Sequence, residues 1–223
     1  MAKSDPQLLD LSGMDNRENA ISRASHGCPQ EYTAVAKRHM SKQTTLTAEF
    51  MLFGSFVSRM RGLHEGVTRE IVNNNPHAVL PLIRAWVETI TIGLYVLRNP
   101  GYAKFLMEGP GDSRPAKKSF QAMFHAVRDD AGQLEPVYRQ LSEYSHFGPL
   151  AIWNAHSLDD QDERRVTWTD APRWRDEQHF QIACAQAAEL AAAGLRTLDA
   201  LGPLLIAPNA PGGNTGRGRG RDL

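Results

Sequence analysis

The sequence predicts an all-α protein, a helical bundle of five to six helices with a small β-hairpin before the last long helix. Three observations carry that prediction. Apolar residues recur every three or four positions from Leu46 to Ile71, the spacing of one helix face. Residues 77–98 are apolar around nearly the whole helical circumference, which marks a central helix. A third stripe runs from Phe180 to Leu198 and is rich in alanine, which permits close packing.

The chain has 223 residues, of which 41% are hydrophobic and 22% charged, enough for one domain with its own core. The 25 basic and 25 acidic residues cancel, which argues against a broad electrostatic grip on nucleic acid. Cys28 and Cys184 are far apart and form no CxxC, so neither a disulfide framework nor a zinc site is expected. The first six residues lack the apolar run of a signal peptide, and no stretch of eighteen uncharged apolar residues occurs. The expectation is a cytoplasmic protein with no membrane span.

Residues 1–28 are polar and without period, and are expected to be disordered. The helical domain is expected over residues 29–203, and a disordered Gly/Pro/Arg tail over 204–223. Tyr32, Val35, Ala36 and His39 predict a first, partly exposed helix over 30–41. Ser41 or Thr45 is a candidate cap for a long helix over 45–73, whose stripe is Leu46, Phe50, Phe53, Val57, Met60, Leu63, Val67 and Ile71. Gly54, Gly62 and Gly66 within it suggest a tight helix crossing. Asn73 to Pro76 ends it.

The central helix, 77–98, carries one polar stripe: His77, Arg84, Glu88, Thr91 and Tyr95. Arg84 and Glu88 are an i, i+4 pair in the weaker order for a solvated helix, basic before acidic. That order points to a tertiary role. A short helix around Tyr102, Phe105 and Leu106 follows, then a loop from Gly109 to Pro115. A helix over 116–128 is expected to turn Phe120, Met123, Phe124 and Val127 inward. The next helix, 133–147, begins near Pro136 and stops before Gly148 and Pro149. Tyr138, Ser142 and His146 share a face at i, i+4 and i+8, and Arg139 and His146 lie nearly two turns apart. β-Branched and aromatic residues on either side of Asp159 to Glu163 predict the hairpin, within 150–169. The last helix is expected over 175–201, stopped by Gly202 and Pro203.

The sequence contains no GxGxxG, Walker loop, GxSxG or HExxH, so dehydrogenase, nucleotide-hydrolase and zincin chemistry lose support. His146, His156 and Asp159 fit no known ligand spacing. No metal or cofactor is expected. Arg139 and His146 do suit metal-free RNA cleavage by residue type. A histidine titrating near neutrality serves as a base for a 2′-hydroxyl, and an arginine fits two phosphate oxygens. Tyr138 and Ser142 are candidates to orient the imidazole or hold phosphate oxygens.

Arg139 and His146, with six residues between them on a helix of a helical domain, resemble the Arg-x4–6-His motif of the HEPN superfamily. The resemblance implies a helical bundle, a homodimer with a composite site, and metal-independent endoribonuclease activity in toxin–antitoxin or phage-defence systems. RNA and an antitoxin would then be partners, with Arg139 and His146 as the catalytic pair. Residues 45–200 also resemble bacterial helical proteins of unassigned function. Those pair an Arg-x3-Glu helix, here Arg84 and Glu88, with Tyr-x-x-Leu-Ser-x3-His, here Tyr138, Leu141, Ser142 and His146. Two alternatives stand beside RNA cleavage. One is a pocket in which Arg84, Arg139 and His146 meet a phosphate. The other is a non-catalytic interaction module in which Arg84, Glu88, Tyr138, Ser142 and His146 form a structural polar network.

Overall fold

A computed structural model describes residues 9–41, 46–108, 118–132, 134–145, 152, 156–160, 165–168 and 170–206. The protein is mainly helical. The helices are α1 Arg17–Ala24, α2 Gln30–Met40, α3 Ala48–Val72, α4 Pro76–Arg98, α5 Tyr102–Glu108, α6 Phe120–Ala126, α7 Arg128–Ala131, α8 Leu134–Ser145 and α9 Glu177–Ile206. Two short strands, β1 His156–Asp160 and β2 Arg165–Trp168, pair antiparallel and shift register between Leu158 and Asp160.

The core lies where α3, α4 and α9 meet, and these three share the largest interfaces. Trp86, Ile83, Ile90, Phe53, Met60 and Leu198 are fully buried there. Each such side chain contributes roughly 1.5–3 kcal/mol relative to exposure. Among the described residues α4 is the one helix long and apolar enough to cross a membrane by length and composition. More than half of that apolar window is buried within the bundle, as a core helix requires. Helices α6, α7 and α8 pack against α4, while α1 and α2 pack against α9.

Local chemistry sets the helix ends. The hydroxyl of Thr47 accepts a hydrogen bond from the Phe50 N–H at 3.1 Å, so Thr47 caps α3 in place of Ser41 or Thr45. Thr45 lies outside the described residues. Asn75 caps α4 by accepting from the Ala78 N–H at 3.3 Å, and Pro76 takes the first helical position, where a missing N–H costs nothing. Asn74 adopts φ +58°, a left-handed turn conformation that asparagine tolerates, and this sends α4 back along α3.

Several expectations change. There are nine helices among the described residues rather than five to six. The expected helix 116–128 is divided at Val127, whose φ of −110° is not helical. Residues 9–28 are not a disordered segment, since α1 is capped by the Asn16 side chain and buries Ala20 and Ala24. Its fully buried face is alanine, Ile21 is its single large apolar residue, and the fully buried Met14 precedes the helix, so no apolar stripe announces it. The last helix passes Gly202 and Pro203 and ends at Ile206. Leu205 and Ile206 are buried and hold that final turn in place. The tail therefore begins later than residue 204, and residues 207–223 lie outside the described set. Leu46 is 71% exposed and leaves the α3 stripe, while Phe56 and His64 join it.

The glycines expected to mark a close helix crossing divide: a Cβ on Gly54 would lie 3.3 Å from Cε of Met40 on α2, and one on Gly66 would lie 3.4 Å from a Leu82 methyl on α4. A Cβ on Gly62 would meet nothing within 4 Å, so this glycine does not serve packing. A Cβ on Gly93 would lie 2.8 Å from Cγ2 of Thr197 and 3.3 Å from a Leu201 methyl. Gly93 thus marks a further close contact, α4 on α9.

Candidate functional site

Arg84 and Glu88 sit one turn apart on α4, on the flank that faces α8. Tyr138 comes to them from the first turns of α8. Arg84 Nη2 donates to the Tyr138 hydroxyl at 3.0 Å, and that hydroxyl donates to Glu88 Oε1 at 3.1 Å. Arg84 Nε lies 3.4 Å from the same carboxylate oxygen. The phenol therefore relays between cation and anion, accepting from one and donating to the other. The guanidinium also lies 5.1 Å from the centre of the Tyr138 ring, within cation–π range.

Two aromatic residues support the phenol. The Phe120 ring centre is 4.2 Å from that of Tyr138, and Phe124 is 6.5 Å away. Both come from α6, so three helices fix one tyrosine. The cluster is half-buried: the Arg84 side chain is 20% exposed and that of Glu88 is 36% exposed. Its charges are partly desolvated and paired, as partial burial demands.

The other sequence-derived candidates divide. Ser142 donates its hydroxyl to the Tyr138 carbonyl at 2.9 Å. This is an i−4 bond within α8, so the serine is spent on its own helix rather than directed at an imidazole or a phosphate. Arg139 follows Tyr138 and is exposed on α8. His146 lies outside the described residues, as do Gly148, Pro149, Leu150 and Trp153. The polar stripe expected on α4 is shorter than its sequence spacing suggests. Thr91 is fully buried and donates to the Val87 carbonyl at 2.8 Å, while Tyr95 packs edge-on against Tyr102 at 4.9 Å. His77 is exposed at the start of the helix.

Sequence reasoning missed the Phe120–Tyr138 contact, although Phe120 already stood on the inner face of its helix. It also missed His64. This ring is fully buried, lies 4.9 Å from the Trp86 ring, and has Nε2 2.7 Å from the Ala24 carbonyl. A ring nitrogen at that distance from a carbonyl is the donor, so the proton sits on Nε2. Burial pushes the His64 pKa down.

No family model matches the chain, and no curated protein or solved structure matches it.

Proposed function

We propose that the protein is a HEPN-like, RNA-acting factor that cleaves without metal, with Arg139 and His146 as the reacting pair. The observation that carries this reading is the bearing of α8. Tyr138 is held by Arg84, Glu88 and Phe120, which leaves the next residue, Arg139, on the exposed side of a fixed helix. An arginine on a fixed element is suited to bind phosphate oxygens in a set geometry. Arg84, Glu88 and Tyr138 then act as positioning residues. They hold the helix and do not touch substrate.

In this reading His146 takes the proton from a 2′-hydroxyl, and the resulting oxygen attacks the adjacent phosphorus. The 5′-oxygen leaves with a proton from an imidazolium, giving a 2′,3′-cyclic phosphate and a 5′-hydroxyl. Arg139 stabilises the charge that builds on the non-bridging oxygens. A homodimer would bring two such pairs to one composite site, and a role as a toxin or defence factor follows from the same chemistry.

A second reading rests on the Arg84–Tyr138–Glu88 network, whose hydrogen bonds tie α4 to α8. It makes the protein a helical interaction module without turnover. Purified protein incubated with RNA in the presence of a chelator separates the two. The first reading expects degradation that Arg139→Ala and His146→Ala abolish. Equal decay with wild type and both variants would sink it and leave the module.

A further inference from the structure

Two cavities adjoin along α9, on the other flank of α8. One encloses about 640 Å³ and the other about 280 Å³. Leu9, Val137 and Gln186 line both, so the two chambers meet at Gln186. Val137, Leu141 and Tyr144 turn one side of α8 to this cleft, whereas Tyr138 turns to Arg84. The larger chamber is walled by Ile90, Leu94, Leu97 and Leu190. The smaller one is walled by Leu80, Ile182 and the buried indole of Trp174. Volumes of this size and a mainly apolar wall are those of small-molecule sites.

Gln186 stands where the two chambers meet. It is only 7% exposed, and among the described residues its carboxamide has no hydrogen-bond partner. Its amide atoms are not sealed in the core but reach the cleft, where they are available to a complementary group. It offers two N–H donors and one carbonyl acceptor side by side. The group that meets both at once is another amide edge, which accepts and donates in the opposite order. Charge narrows the choice further. Among the described residues Asp10, Asp130, Glu189 and Arg196 line the larger chamber; Asp10 pairs with Arg23 at 2.8 Å and Asp130 with Arg98 at 2.6 Å, while Glu189 is in no ion pair and Arg175 lines the smaller chamber. Burial already raises the Glu189 carboxyl, and a second anion beside it would be disfavoured.

We propose that this two-chambered cleft binds an uncharged, largely apolar molecule bearing a carboxamide or lactam edge. The amide pairs with Gln186 at the neck, and the apolar body fills the larger chamber. The site is separate from the Arg84–Tyr138 cluster and does not rest on the RNA-cleaving reading.

Isothermal titration calorimetry on the full chain tests this with octanamide and, as its anionic match, octanoate. Octanamide is expected to bind saturably, and octanoate at least about tenfold more weakly. Gln186→Leu keeps an apolar side chain of similar length at the neck and removes the pairing group. It should weaken octanamide about tenfold and leave the thermal midpoint unchanged or higher. Ala193→Phe, which fills the larger chamber from α9, should abolish binding while α-helical circular dichroism is retained. Three results would each overturn the proposal: no saturable octanamide heat, equal affinity with Gln186→Leu, or octanoate binding as tightly as octanamide.

Discussion

Tyr138 shows how one hydroxyl can join two helices. Its O–H accepts from Arg84 and donates to Glu88, at 3.0 and 3.1 Å. Tyr138→Phe keeps the packing on Phe120 and removes both bonds. The loss should be about 1 kcal/mol, because the pair is partly exposed and solvent screens it. Urea unfolding should show this as a lower midpoint with an unchanged slope. His64 makes a second prediction at this scale. Its folded pKa lies below the ordinary 6.5 because burial disfavours the charged ring. Above pH 6.5 both folded and unfolded rings are neutral, and the contribution is fully present. As pH falls below 6.5 the unfolded chain binds a proton that the folded chain refuses, so stability declines. His64→Gln keeps an N–H donor for the Ala24 carbonyl and removes the titration. Its unfolding free energy should fall less between pH 7 and pH 5 than that of the wild type. Equal slopes for the two proteins would contradict the role given to His64.

At the scale of elements, what the sequence made legible depended on how large the buried groups are. The stripes of α3, α4 and α9 were readable because Phe53, Met60, Trp86, Ile90 and Leu198 recur with helical period and fill the core. The basic-before-acidic order of Arg84 and Glu88 also pointed to a partner outside the helix, and that partner is Tyr138. Helix α1 was not legible because it buries Ala20 and Ala24, which carry little hydrophobic signal. The end of α9 was misread because Gly202 and Pro203 are ordinary stop signals. Here Gly202 serves another purpose: a Cβ on it would overlap the ring of His39, which α2 lays against α9. Asp199, one turn earlier, pairs with Arg38 and lies 3.1 Å from His39 Nε2, which fixes that contact. The glycines separate cleanly by environment. Gly93→Ala pushes a methyl against Thr197, whose hydroxyl is already committed to the Ala193 carbonyl at 2.8 Å. It should destabilise by about 1–3 kcal/mol. Gly62→Ala enters open space on a helix and should stabilise by about 0.5–1 kcal/mol. Thermal unfolding of the two variants should therefore shift in opposite directions.

The whole molecule is a bundle in which α4 serves as the hub, packed on α3 and α9 and flanked by α6, α7 and α8. Its long apolar run was legible at once. The site was legible only in part, since residue type and helical register name Arg139 and His146 but do not say what reaches them. Ser142 illustrates the limit. Its register placed it on the expected face, yet its hydroxyl is bonded within α8. If the protein works through a composite site, sedimentation equilibrium should give a mass near twice 24.7 kDa, and a monomer mass would remove the shared site. The most direct test of the central claim is chemical. Wild-type protein and His146→Ala are incubated in chelator with an RNA oligonucleotide and with its all-2′-deoxy counterpart, and the product ends are identified by mass spectrometry. RNA is expected to yield 2′,3′-cyclic phosphate ends with the wild type and none with His146→Ala, and the deoxy strand is expected to stay intact. Cleavage of the deoxy strand, or cyclic phosphate from His146→Ala at the wild-type rate, would contradict the claim.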